Sequence, residues 1–99
     1  MRNFKTFDDL VFEDWWKSRK HYGRHYFEGK QARMDFDNGY GVSVLFGDHF
    51  YSNGIDTYEL AVLYGGRLYY NTPVTNDVLG YITKDQVTAA MIEIQKLTK

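Results

Sequence analysis

The side chains able to do chemistry in this sequence are few and dispersed. Of the three histidines, His21 and His25 stand four apart, a spacing that would align two imidazoles on a helix and suit a zinc ion. Gly23 lies between them, however, and no helical periodicity surrounds them. His49, beside Asp48, would have to supply a third ligand from a distant loop. The pattern predicts exposed loop histidines and no metal site. Asp35 and Asp37 share one face of a strand, the arrangement in which two carboxylates can divide acid and base roles. Here they point away from the apolar side, and Arg33 extends their row, so a solvated strand face is the simpler reading. The run from Asp35 to Gly39 opens like a calcium loop but lacks the later ligands and the closing glutamate. With no cysteine, thiolate chemistry and a disulfide framework are excluded. Ser18, Ser43 and Ser52 lack the Gly-x-Ser-x-Gly elbow, and no glycine segment ends in the Lys-Ser/Thr of a phosphate loop. The sequence therefore predicts neither an enzyme nor a cofactor.

What remains is a stretch from Trp15 to Lys30 in which aromatic and basic residues interleave: Trp15, Trp16, Arg19, Lys20, Tyr22, Arg24 and Tyr26 are the candidate partner-binding residues. Trp, Tyr and Arg dominate protein interfaces. The same mixture can stack the bases of a single-stranded nucleic acid while its cations meet phosphate. It can also be plain packing, with the tryptophans closing the open side of a small sheet. A second candidate surface is the loop carrying Asp48, Phe50, Tyr51 and Asp56, whose acids would repel phosphate. Replacing Trp15 and Trp16 together separates the readings, because an interface pair can be lost without loss of stability and a core pair cannot.

These surfaces need a scaffold, and residues 31–71 supply its pattern. Ala32, Met34 and Phe36 alternate with Arg33, Asp35 and Asp37, and Tyr40, Val42, Val44 and Phe46 alternate with Gly41, Ser43 and Leu45, the period-two signature of half-buried strands. A two-residue turn at Asn38-Gly39 would mix polar and apolar side chains on both faces. A three-residue loop, a type I turn closed by a left-handed Gly39, instead pairs Phe36 with Tyr40, Met34 with Val42 and Ala32 with Val44. The second hairpin turns at Gly65-Gly66 and pairs Tyr64 with Arg67, Leu63 with Leu68, Val62 with Tyr69 and Ala61 with Tyr70. Both its faces are fairly apolar, which predicts a central position or a tyrosine-rich face kept for a partner. Thr83 and Gln86 form a capping box, followed at helical spacing by Val87, Ala90, Met91, Ile94 and Leu97. Asp9–Phe12 reads as a weak strand, residues 46–57 as the loop joining the hairpins, and Val74–Tyr81 as a connector whose Val78, Leu79 and Tyr81 tuck under the helix, after Pro73, which ends the strand or sits at an edge.

The expected fold is α+β: one antiparallel sheet of four to five strands, built from two β-hairpins, with a single C-terminal helix packed on one face. All 99 residues read as one domain, with 1–30 an N-terminal arm and basic, aromatic loop, 31–71 the sheet and 83–97 the helix. A chain of this size buries roughly two-thirds of its unfolded surface, and 43% hydrophobic with 18% aromatic content argues against disorder. The net charge of −1 makes no overall case for nucleic acid or membrane. Its distribution is polarised: Lys17, Arg19, Lys20, Arg24, Lys30 and Arg33 crowd one stretch, while residues 34–66 carry Asp35, Asp37, Asp48, Asp56 and Glu59 and neither Lys nor Arg. With no apolar run near the ~20 residues of a membrane span, no leader-like start and no cysteine, a cytoplasmic setting is expected. A homodimer is expected if an apolar sheet edge is exposed.

Three segments carry a resemblance: Asp37-Asn38-Gly39-Tyr40-Gly41-Val42-Ser43-Val44, Tyr58-Glu59-Leu60-Ala61-Val62-Leu63, and residues 72–81 from Thr72-Pro73-Val74 to Gly80-Tyr81. Over residues 31–97 the chain resembles a group of small proteins encoded by bacteriophages and prophages, to which no activity attaches. The resemblance implies a host bacterial cytoplasm and an accessory role. By analogy, the resemblance further implies binding to a host protein and inhibition of host machinery, including anti-phage defence, in the manner of anti-CRISPR proteins. A single-stranded nucleic-acid-binding module and a structural virion component are the alternatives.

Overall fold

The computed structural model describes residues 3–15, 29–74 and 77–98. Its centre is an antiparallel sheet of strands β1 (Glu13–Asp14), β2 (Lys30–Asp35), β3 (Tyr40–Phe46), β4 (Tyr58–Tyr64), β5 (Arg67–Leu68) and β6 (Leu79–Ile82), followed by helix α1 (Lys84–Gln95). The order across the sheet is β1-β2-β3-β4, and the far side of β4 is shared by β5 and β6.

Both hairpin registers follow from local chemistry. In the first, Ala32 faces Val44 and Met34 faces Val42. The Phe36 amide donates to the Tyr40 carbonyl at 2.7 Å and the Gly39 amide to the Phe36 carbonyl at 3.2 Å. Gly39 sits at φ 90°, a value that costs glycine nothing and other residues a clash. The three-residue loop keeps the apolar residues of both strands on one face, as expected. In the second hairpin Tyr64 faces Arg67 and Leu63 faces Leu68, across two glycines at φ 61° and 81°, the mirror-image turn that matches strand twist.

The second hairpin is shorter than its sequence suggests. After Leu68 one more ladder bond forms, from the Tyr69 amide to the Val62 carbonyl at 2.9 Å, and the chain then leaves β4 ahead of Pro73. The vacated half of β4 is taken by β6, which pairs Ile82 with Tyr58 and Leu79 with Leu60. This corrects the reading of Val74–Tyr81 as connector throughout. The step from Tyr58 to Leu60 on β4 is matched by the longer step from Ile82 to Leu79 on β6, so β6 carries a bulge, and Tyr81 within it adopts φ 55°. Near the start of the chain, Phe7–Asp9 forms a 3₁₀ turn closed by Thr6 and Asp9, and the short strand falls at Glu13–Asp14 instead of Asp9–Phe12. The acidic residues at positions 8 and 9 favour a helical first turn over a strand.

Helix α1 packs on one face of the sheet. Thr83 caps it as the sequence predicts, the Gln86 amide donating to Thr83 Oγ1 and the Gln86 side chain accepting from the Thr83 amide. Val87, Met91 and Ile94 are fully buried against Val42, Val44, Leu60 and Val62, with Leu10, Ala32, Tyr40, Tyr58 and Ala90 completing the core. Each fully buried Val, Leu, Ile or Met among them is worth about 1.5–3 kcal/mol when removed from water. The N-terminal arm straps across helix and core. Its Phe7 amide donates to Thr88 Oγ1 at 3.0 Å, its Lys5 amide donates to Gln95 Oε1 at 2.8 Å, and Gln95 Nε2 returns a bond to the Lys5 carbonyl. Phe7 and Phe12 then close on Tyr58 at ring separations of 5.0 and 5.9 Å.

The edges of the sheet are blunt. β1 is two acidic residues, β5 is two residues, and the stretch of β2 beyond β1 carries Arg33 and Asp35. On β6 the Tyr81 amide is occupied by the Tyr51 carbonyl at 2.9 Å. Among the described residues there is no long apolar edge to invite pairing with a second chain.

Candidate partner-binding surface

The structure divides the residues proposed from sequence into three groups. Trp16, Arg19, Lys20, Tyr22, Arg24 and Tyr26 lie outside the described residues. Trp15 and Phe50 prove to be packing partners: their rings meet edge to face at 5.1 Å, and both are half-buried. The Trp15 amide is bound by the Gly29 carbonyl at 2.9 Å. A Cβ at Gly29 would stand 2.8 Å from the Phe50 ring, so the end of the arm is moulded onto the loop. Phe50 thus props the loop from below while staying half-buried. Asp48, Tyr51 and Asp56 are exposed and sit together on the β3–β4 loop, residues 47–57.

That loop is held by its own polar side chains. Ser52, 3% exposed, donates through Oγ to the Thr57 carbonyl at 2.7 Å and accepts from the amides of Gly47 and Gly54, each at 3.1 Å. Asn53 Oδ1 accepts from the amides of Ile55, Asp56 and Thr57 at 2.8–3.0 Å, while Asn53 Nδ2 donates to Asp56 Oδ1 at 2.8 Å. Ser and Asn suit this because their short side chains can satisfy nearby backbone groups. Gly54, at φ 72°, supplies the left-handed bend that follows them. The Tyr51 amide donates to Glu59 Oε1 at 3.0 Å, which ties the loop to β4.

On this frame stands Tyr81, which the sequence places under the helix and the structure leaves open to solvent. Tyr81 lies beside Tyr51, with ring centroids 6.3 Å apart and planes inclined at 58°, and the two are 59% and 58% exposed. Gly80 permits the approach, since a Cβ there would come within 2.8 Å of Tyr51 Cβ. Ile55 adds a further open apolar side chain on the same loop. The one hint in the sequence is Gly80-Tyr81 after the proline, and the pairing that gives it meaning is made across about thirty residues of chain.

Of the histidine and aspartate candidates, His49 shares the loop of Tyr51, while Asp35 and Asp37 lie at the first hairpin. His49 is 4.0 Å from Asp48, and no cluster among the described residues is able to hold a metal ion. Asp35 and Asp37 border an open cleft of about 380 Å³ between the first hairpin turn, the arm and Gln95. On the helix-free face, Trp15, Leu45, Leu63, Leu68, Tyr70 and Val78 line a shallow groove of about 250 Å³. No helix among the described residues is long and apolar enough to cross a membrane. Comparison with protein-family models, curated proteins and solved structures finds no match.

Proposed function

We propose that the chain is a binding protein without catalysis of its own, which docks a protein partner at the loop end of the sheet. The carrying observation is the exposed Tyr51–Tyr81 pair on a loop whose backbone is held by Ser52 and Asn53. Tyrosine supplies a large contact area with few rotamers to freeze, and a loop already ordered before contact spares much of the entropy that binding otherwise costs. The blunt edges of the sheet favour recognition through side chains over strand addition.

More particularly, the resemblance of residues 31–97 to phage and prophage proteins suggests an accessory protein of the infected cell that occupies a host protein and inhibits it, an anti-phage defence factor being the foremost target. The acidic loop opposes the nucleic-acid alternative. The test is affinity capture from bacterial lysate, with and without nuclease, read by mass spectrometry. One stoichiometric protein is expected to survive nuclease and to be lost from the Tyr51→Ala/Tyr81→Asn double variant. Loss of all captured material on nuclease treatment would instead favour nucleic acid, and recovery of this chain alone a self-assembling virion component.

A further inference from the structure

We infer that the partner presents an arginine-bearing basic segment, which the Tyr51–Tyr81 pair receives between its rings and the loop carboxylates. This deepens the binding reading above and rests on it. Two independent features converge on that chemistry. The first is geometric: two exposed phenol rings 6.3 Å apart and inclined at 58° form an open notch whose π-faces attract a cation within about 6 Å of a ring centroid. A planar guanidinium stacks on such rings better than an ammonium does.

The second is charge. Glu59 Oε1 accepts the Tyr51 amide, which sets a carboxylate beside the notch, and Asp48 and Asp56 stand exposed on the same loop. Residues 34–66 contain no Lys or Arg to neutralise them. Among the described ion pairs, none joins a Lys or Arg to Asp48, Asp56 or Glu59. Among the described residues, then, the surface about the notch is acidic and aromatic, His49 beside Asp48 being the one ion-pair partner of these carboxylates. An anionic or purely apolar segment would meet repulsion or uncompensated desolvation there.

The probe is fluorescein-labelled hexa-arginine, followed by anisotropy against the intact chain, with hexa-lysine and hexa-glutamate as controls. Hexa-arginine is expected to bind more tightly than hexa-lysine and to weaken as salt rises. Replacing one ring, by Tyr51→Leu or Tyr81→Asn, should weaken it about two- to fivefold, the cost of one exposed cation–π contact. Asn is chosen at position 81 because it tolerates positive φ. Asp48→Asn with Asp56→Asn keeps the Asn53 acceptor and should weaken binding to a similar degree with both rings intact. Hexa-glutamate affinity should not respond to any of these changes. Hexa-arginine affinity that is undetectable, or unchanged in the ring and carboxylate variants, overturns the inference. A captured lysate protein retained by the Tyr51→Ala/Tyr81→Asn chain would overturn it while leaving protein binding intact. Hexa-arginine binding with an empty lysate capture would do the reverse.

Discussion

At the scale of single residues, the turn residue Asn38 does more than turn the chain. Its Oδ1 accepts from the Tyr40 amide at 3.1 Å, and its Nδ2 donates to the carbonyls of Ile94 and Leu97 at 2.9 and 3.0 Å. Ile94 belongs to the last turn of α1 and Leu97 lies just past its C-cap Lys96, so the first hairpin holds the end of α1 from outside. Asn38→Ala should cost about 1–3 kcal/mol in denaturant unfolding, and Asn38→Asp, which keeps the acceptor and loses the donors, should recover only part of it. An Ala variant as stable as the parent would show these bonds to be idle. Tyr58 gives a pH signature. Burial, and then the charge of Asp56, raise its phenol above the ordinary tyrosine value. The folded state therefore holds the proton longer than the unfolded one. Stability from this group is complete below about pH 10 and declines as pH climbs from there through the folded pKa. Tyr58→Phe removes the site, so the fall in unfolding free energy above about pH 10 should be shallower in the variant by as much as one proton's worth. Equal slopes would discharge Tyr58 from that role. Neither role could be read from sequence, since each depends on a partner from another element.

At the scale of elements, legibility follows range. The registers of both hairpins, the capping box and the buried stripe of α1 were open to reading because period-two alternation, turn glycines and helical spacing are local properties. β6 was not. Leu79-Gly80-Tyr81-Ile82 has no clean alternation, and it becomes a strand only because Pro73 helps draw the preceding chain off β4 and leaves Tyr58 and Leu60 open. The candidate site divides the same way: the acidic loop and Tyr51 announced themselves by composition, while Tyr81 is brought to Tyr51 by β6. Conversely, aromatic content alone cannot tell a packed ring from an open one, so the contact that half-buries Trp15 and Phe50 was not legible. The Trp15–Phe50 contact also means that a Trp15 replacement will report on stability as well as on binding. Gly41, near the start of β3, marks how tightly β2 and β3 approach. A Cβ there would fall 2.5 Å from the Met34 carbonyl oxygen and 2.8 Å from Asp35 Oδ1. Since the first of these is backbone, Gly41→Ala must push the strands apart, and thermal melting should show about 1–3 kcal/mol of destabilisation. A neutral result would require a wider β2–β3 spacing than the structure has.

At the scale of the whole molecule, the sheet, the helix and the arm form one closed arrangement in which residues far apart in sequence hold each other. The arm is fastened by side chains of α1, chiefly Gln95, which exchanges two bonds with the backbone of Lys5. Gln95→Ala should leave the hairpins intact, release residues 3–7, and lower stability by about 1–2 kcal/mol. Hydrogen exchange will check this: protection should be lost at the amides of Lys5 and Phe7 and kept at Val42 and Val62. Uniform loss across all four would mean that strap and sheet open as a single unit.

The same fastening sets an order of events in the cell. A ribosome delivers Lys5 ninety residues before Gln95, so the strap has no anchor while the whole sheet is being made. Until then Phe7, Leu10 and Phe12 belong to a nascent chain whose apolar sheet face has no helix to cover it. The last turn of the helix is the closing stitch, and a chain cut short just before it would be released with its earlier seam still open.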